Sequence, residues 1–99
     1  MNDQTAKADA GKIKPSLVPM EGIRAVAHVR EFGTSKYGDP DNWKRVEPQR
    51  YLDALWRHLM AYTEDPLSVD DESGFNHMDH VATNAFFLIA MGGGSVKRQ

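Results

Sequence analysis

The chain has 99 residues, no cysteine, and 12 basic against 14 acidic side chains, a formal net charge of −2. The missing cysteines exclude a disulfide framework and any thiolate metal site, and the near-balanced charge argues against bulk electrostatic binding to duplex nucleic acid, so nucleic acid is not expected as a partner. No apolar run approaches the roughly 18 residues of a membrane span, and the polar start of the chain lacks a signal core, which predicts a cytoplasmic protein with no membrane partner.

Residues 1–12 read as a flexible tail, 13–91 as one helical domain, and 92–99, opening on Gly92-Gly93-Gly94-Ser95, as a second flexible tail. A domain of that size is marginal as a monomer by surface-to-volume scaling, so a homo-oligomer is expected. Residues 13–19, punctuated by Pro15 and Pro19, read as an extended arm. Helical periodicity then runs over about 20–32 through Ile23, Val26 and Ala27, with Val29 or the stem of Arg30 completing the face, and Gly33 is expected to stop the helix as a C-terminal cap. The stretch 33–43 reads as a loop, followed by a short helical turn around 41–46. Pro48 suits the first turn of a second helix, which is expected to reach Tyr62 or Glu64 before Pro66, with Leu52, Leu55, Leu59 and Tyr62 as its apolar stripe and Trp56 on the shoulder. A third helix is expected from Asn76, as N-cap, to about Met91, burying Met78, Val81, Ala82, Ala85, Leu88 and Ile89. The fold class is all-α: a small bundle of three main helices with an extended N-terminal arm.

The polar residues of the third helix stand out. His77, His80 and Asn84 recur at i, i+3 and i+7, on one face. Two imidazoles one turn apart can share a metal or flank an anion, with Asn84 orienting either; a capping His77 and a hydrogen-bonded core His80 are the plainer reading. Just upstream, Asp70-Asp71-Glu72-Ser73-Gly74 can be a solvated capping loop. It can equally offer Asp70 and Glu72 to a divalent cation and Ser73 to an anion. In the second helix, Asp53 and Arg57 are one turn apart, which suits a surface ion pair worth only tenths of a kcal/mol. Arg57 can instead fork onto a phosphate, with His58 expected on a different side. In the loop, Tyr37 or Trp43 can stack on a base, Lys36 can meet a phosphate and Asn42 can read a base edge, or the aromatics can simply lid the core.

Taken in order, Lys14-Pro15-x-x-x-Pro19, Glu31-Phe32-Gly33-x-x-Lys36-Tyr37-Gly38, Asn42-Trp43, Arg57-His58-Leu59, Asp70-x-Glu72-Ser73-Gly74-x-x-His77-x-x-His80 and Asn84 with Phe87-Leu88 resemble the phage-borne dATP/dGTP diphosphohydrolase N-terminal domain family. The resemblance covers about residues 11–91. It implies an all-α fold akin to the MazG-like nucleoside triphosphate pyrophosphohydrolases. Such enzymes are oligomers that use a divalent metal, here Mg2+ or Mn2+, to cut a (deoxy)nucleoside triphosphate into monophosphate and pyrophosphate. The catalytic and metal set expected on that basis is Asp70, Glu72, His77 and His80. Lys14, Lys36, Tyr37, Asn42, Trp43, Arg57, His58, Ser73 and Asn84 would contact the nucleotide, in the host cytoplasm if the chain is phage-encoded. The chain departs from the MazG-like pattern in having neither Glu-x-x-Glu nor Glu-x-x-Asp. That departure keeps a second reading open: a non-catalytic phage nucleotide-binding protein, a sponge that sequesters a signalling or precursor nucleotide.

Overall fold

The computed structural model describes residues 8–92, so the outer parts of both expected tails lie outside the described residues. Within that range the chain forms three long α-helices and no strand: α1 (Met20–Tyr37), α2 (Pro48–Glu64) and α3 (His77–Ala90). Helix α3 is the spine. It packs against α2 along most of its length and against α1 on another side, while α1 and α2 have little direct contact. The two outer helices therefore diverge above α3 and leave a cleft between them.

Local chemistry sets the ends of each helix. The Asn76 side chain accepts a hydrogen bond from the Met78 amide at 2.8 Å, capping α3, and donates one to the Pro66 carbonyl at 2.8 Å, tying that end to the loop after α2. Helix α2 starts on Pro48 at its first turn. It ends at Asp65, whose amide still reaches the Ala61 carbonyl at 3.0 Å and whose carboxylate accepts from the Leu67 amide at 3.0 Å.

Helix α1 does not stop at Gly33. It continues for another turn to Tyr37, and the left-handed cap is Gly38 (φ 76°), whose amide donates to the Thr34 carbonyl at 2.7 Å. A glycine inside a helix costs about 1 kcal/mol relative to alanine, which slows a helix without ending it. Here the added turn is held by Phe32 edge-on to Phe75 and by the Lys36–Glu72 ion pair. Lys36 and Tyr37 thus ride on a helix rather than a loop.

One further expectation is corrected and one is met. The N-terminal arm is not fully extended: Pro15–Leu17 form a 3-10 turn closed by the Leu17 and Val18 amides. The expected turn near residue 41 is a 3-10 turn, Asn42–Arg45. The apolar stripes of α2 and α3 each lose one expected member. Leu55, Leu59 and Tyr62 of α2 are half-buried, but Leu52 points outward with Trp56 and Met60, and on α3 Ile89 is exposed. Among the described residues the only buried apolar side chain is Val29, whereas the polar Thr83 and Asn84 of α3 are buried as well. Each of these two satisfies itself on its own helix, Thr83 donating to the Asp79 carbonyl at 2.9 Å and Asn84 to the His80 carbonyl at 2.8 Å, so burying them costs little. Asn84 is thereby committed to backbone and does not orient an imidazole ring through this donor.

Candidate functional site

The cleft between α1 and α2 has a volume of about 560 Å³, in the range of small-molecule sites, with His80, Thr83, Asn84 and Phe87 of α3 as its floor. It has two chemically distinct ends.

At one end three histidines meet. His58 of α2 and His77 of α3 touch through their Nδ1 atoms at 2.9 Å, one donating to the other. His58 also stacks on His80, with ring centroids 4.5 Å apart and planes 12° from parallel. His80 Nε2 is 2.7 Å from the Ser73 hydroxyl and 3.9 Å from the Asp70 carboxylate. The loop 70–75 that carries these partners is tightly closed. The Asp70 amide donates to the Phe75 carbonyl and the Gly74 amide to the Asp70 carbonyl, both at 2.8 Å, beside a Val69–Asn76 bridge. Gly74 sits at φ 77°, a backbone conformation that favours glycine. The Asp70 carboxylate accepts from the amides of Ser73 (2.8 Å) and Glu72 (3.2 Å).

These contacts set the protonation states. Burial, then the neighbouring His80, pushes His58 below the ordinary imidazole value; burial, with His77 beside it, does the same to His80 against the opposing pull of Asp70. Both rings are therefore neutral near pH 7. Partial burial works to raise Asp70, but the Ser73 amide and hydroxyl and the nearby imidazoles outweigh it and hold the carboxyl below its usual range. His58, Asp70 and His77 can each bring one ligand atom within 4.8 Å of the others, an N,N,O set able to accept a metal ion.

The other end is cationic and aromatic. Arg30, Lys36, Arg50 and Arg57 all line the cleft. Arg30 donates to the Pro40 carbonyl at 2.6 Å and lies over the Phe87 ring, 5.2 Å from its centroid. Lys36 is paired with Glu72, and that hydrogen bond raises the lysine above its ordinary value. Arg57 makes no ion pair among the described residues: Asp53, its expected helical partner, accepts instead from Gln49 at 3.0 Å. Trp43 stacks on Phe87 (5.2 Å, 15°), Tyr51 leans on the same ring (4.7 Å), and the Tyr51 hydroxyl donates to the Trp43 carbonyl at 2.8 Å. Burial raises the Tyr51 phenol.

Of the residues singled out from sequence, Lys36, Tyr37, Asn42, Trp43, Arg57 and His58 line the cleft, as do Asp70, Glu72, His80 and Asn84. His77 lies behind His58, Ser73 supports His80, and Lys14 sits on the exposed arm away from the cleft lining. His58 and Arg57 do reach the same cleft, because its width admits side chains 100° apart on α2. Sequence reasoning missed Arg30, Arg50 and Tyr51 as site residues, and took Phe87 only as part of the family motif. Arg30, Gly33 and Tyr37 share a helical face, a signal that exists only if α1 passes through Gly33.

The family model for the N-terminal domain of dATP/dGTP diphosphohydrolase matches residues 2–95. A Salmonella phage PMBT28 protein described as a dATP/dGTP diphosphohydrolase is 37% identical over 82 residues, covering 83% of this chain and 28% of the relative. The chain thus spans less than a third of that relative's length. No solved structure matches it. No helix among the described residues is long and apolar enough to cross a membrane.

Proposed function

The chain belongs to the dATP/dGTP diphosphohydrolase N-terminal family, and from that premise we propose that its cleft binds a (deoxy)nucleoside triphosphate and hydrolyses it to the monophosphate and pyrophosphate. The observation that carries this reading is the juxtaposition in one cleft of several cations with a histidine–aspartate cluster. Arg57, which makes no ion pair among the described residues, grips phosphate oxygens bidentately, and Arg50 on the same helix and Arg30 on α1 add charge to the cleft. Tyr37, 61% exposed on the last turn of α1, offers its ring to a base.

Water adds to the α-phosphorus, the bond to the oxygen bridging toward the β-phosphorus breaks, and pyrophosphate leaves. His80, neutral and positioned by Ser73, is the group suited to take the proton from that water. The cations balance the charge that develops on the phosphates. The donor set fits a divalent metal. When bound, the ion would be held by His58, Asp70 and His77 and would supply Lewis-acid polarisation of a phosphoryl oxygen. In the phage setting of the similar protein, the reaction would adjust a nucleotide pool.

Chromatography of a (deoxy)nucleotide panel incubated with the protein and Mg2+, Mn2+ or Zn2+ tests the proposal. The expected products are monophosphate and pyrophosphate, and the absence of turnover with every ion and nucleotide overturns it. One observation favours a second reading, that of a nucleotide-binding module: the chain aligns with only 28% of its longer relative, which leaves room for catalytic residues elsewhere in that protein. A nucleotide-dependent rise in melting temperature without turnover would select this reading.

A further inference from the structure

The histidine end of the cleft has a donor set unlike a magnesium site. His58 from α2, Asp70 from the loop and His77 from α3 converge from three elements. The two imidazole Nδ1 atoms are 2.9 Å apart. Two nitrogens bound tetrahedrally to one ion, each about 2.0–2.1 Å from it, stand about 3.3–3.4 Å from each other. The pair therefore stands within about half an ångström of the spacing of adjacent ligands, and a single proton fills the place between them. The supports of these groups are also in position. His80 stacks on the His58 ring, and two backbone amides hold the Asp70 carboxylate, contacts that fix the direction of a ligand. Glu72 is outside this arrangement: its side chain is 57% exposed and bound to Lys36.

We infer that His58, Asp70 and His77 form a site for a first-row transition ion such as Zn2+ or Co2+, selective over Mg2+, with His58 in the place that Glu72 would hold in an oxygen-ligand site. The inference rests on the proposed function for the purpose of the site and deepens it by naming the class of ion. Imidazole nitrogen suits borderline-soft ions, whereas Mg2+ demands oxygen ligands in near-ideal octahedral geometry. Affinity for such a site rises along the first-row series toward Cu2+, whereas Mg2+ finds only one carboxylate here, that of Asp70.

The test uses the full chain, stripped of metal by chelator and dialysis, and calorimetric titration with Zn2+, Co2+ and Mg2+ alone. Zn2+ and Co2+ are expected to bind at least ~100-fold more tightly than Mg2+. His58→Asn and His77→Asn should each weaken Zn2+ binding by more than ~10-fold, while Glu72→Gln stays within ~3-fold. Because either histidine variant could lose its fold, nitrogen NMR of the wild-type rings gives an independent reading: Zn2+ should move the Nδ1 resonances of His58 and His77. Equal affinity for Mg2+ and Zn2+, a Glu72→Gln loss as large as that of His58→Asn, unmoved ring resonances, or no ion binding would each overturn the site. Zn2+ bound at these rings without nucleotide turnover would sink the hydrolase reading and leave the site standing. Turnover with Mg2+ that survives His58→Asn would do the reverse.

Discussion

The two ends of the cleft differ in how completely their polar groups are already engaged. At the histidine end each of these side chains has a protein partner: His58 with His77, His80 with Ser73, Asp70 with two amides. At the cationic end Arg57 has no ion pair among the described residues, and Tyr37 stands in solvent. A preorganised cluster costs nothing to assemble when a ligand arrives, and it suits chemistry that needs fixed atoms. A cation such as Arg57, without an ion pair among the described residues, suits capture, since its charge is available to phosphate. The division predicts that substitutions at the first end change turnover, and those at the second change affinity.

The largest effect is expected at Asp70. Asp70→Asn keeps the shape of the loop but removes the charge facing His58 and His80, and should lower turnover by at least ~100-fold with nucleotide affinity changed only a few-fold. A parallel loss of affinity, measured by calorimetry, would erase the distinction between the ends. Next comes Trp43→Ala, which deletes the ring stacked on Phe87. Because Trp43 is half-buried, a loss of about 2 kcal/mol in chemical denaturation is expected, below the range for a fully buried tryptophan. Arg57→Ala should raise the nucleotide dissociation constant about 10-fold, as removal of a charge-assisted pair does, and leave turnover at saturation nearly unchanged. A fall at saturation instead would place Arg57 with the chemistry rather than the grip.

Smaller effects sharpen the same contrast. An added methyl at Gly33 meets nothing within 4 Å and α1 continues through that position, so Gly33→Ala should stabilise the chain by up to about 1 kcal/mol. Destabilisation would return Lys36 and Tyr37 to a loop. The smallest effect is with pH, in metal-free protein. His58 and His80 are held below their ordinary value of 6.5, so the folded chain binds fewer protons than the unfolded one. Their contribution to stability is whole above about pH 6.5 and declines as pH falls from there toward the folded-state values. A melting temperature that rises on acidification through this window would contradict the buried, neutral state of both rings.

Sequence periodicity and punctuation located the helices well where the chain carries unambiguous stop and start chemistry. Pro48 and Pro66 bracket α2, and Asn76 with the glycine run after Met91 brackets α3. The end of α1 was not legible, because two glycines five residues apart could each cap it and only tertiary contacts at Phe32 and Lys36 choose between them. Side-chain partners were harder still. Asp53 and Arg57 have ideal spacing for an ion pair, yet Gln49 takes the aspartate. His58 gave no sign of meeting His77, since they lie nineteen residues apart and their contact exists only through the packing of α2 on α3.

The ordered motifs were enough by themselves to establish an all-α chain of three principal helices, its family, and a polar cluster around His77 and His80. Those properties follow from short-range rules: 3.6-residue periodicity, capping, and the order of motifs along the chain. The polar cluster first noticed in the sequence spans what are in fact two ends of one cleft. The divergence of α1 and α2 over α3 decided that division, including the entry of His58 beside Asp70 and the departure of Glu72 to Lys36. Such groupings depend on which faces of separate helices are turned together, and no local spacing encodes that.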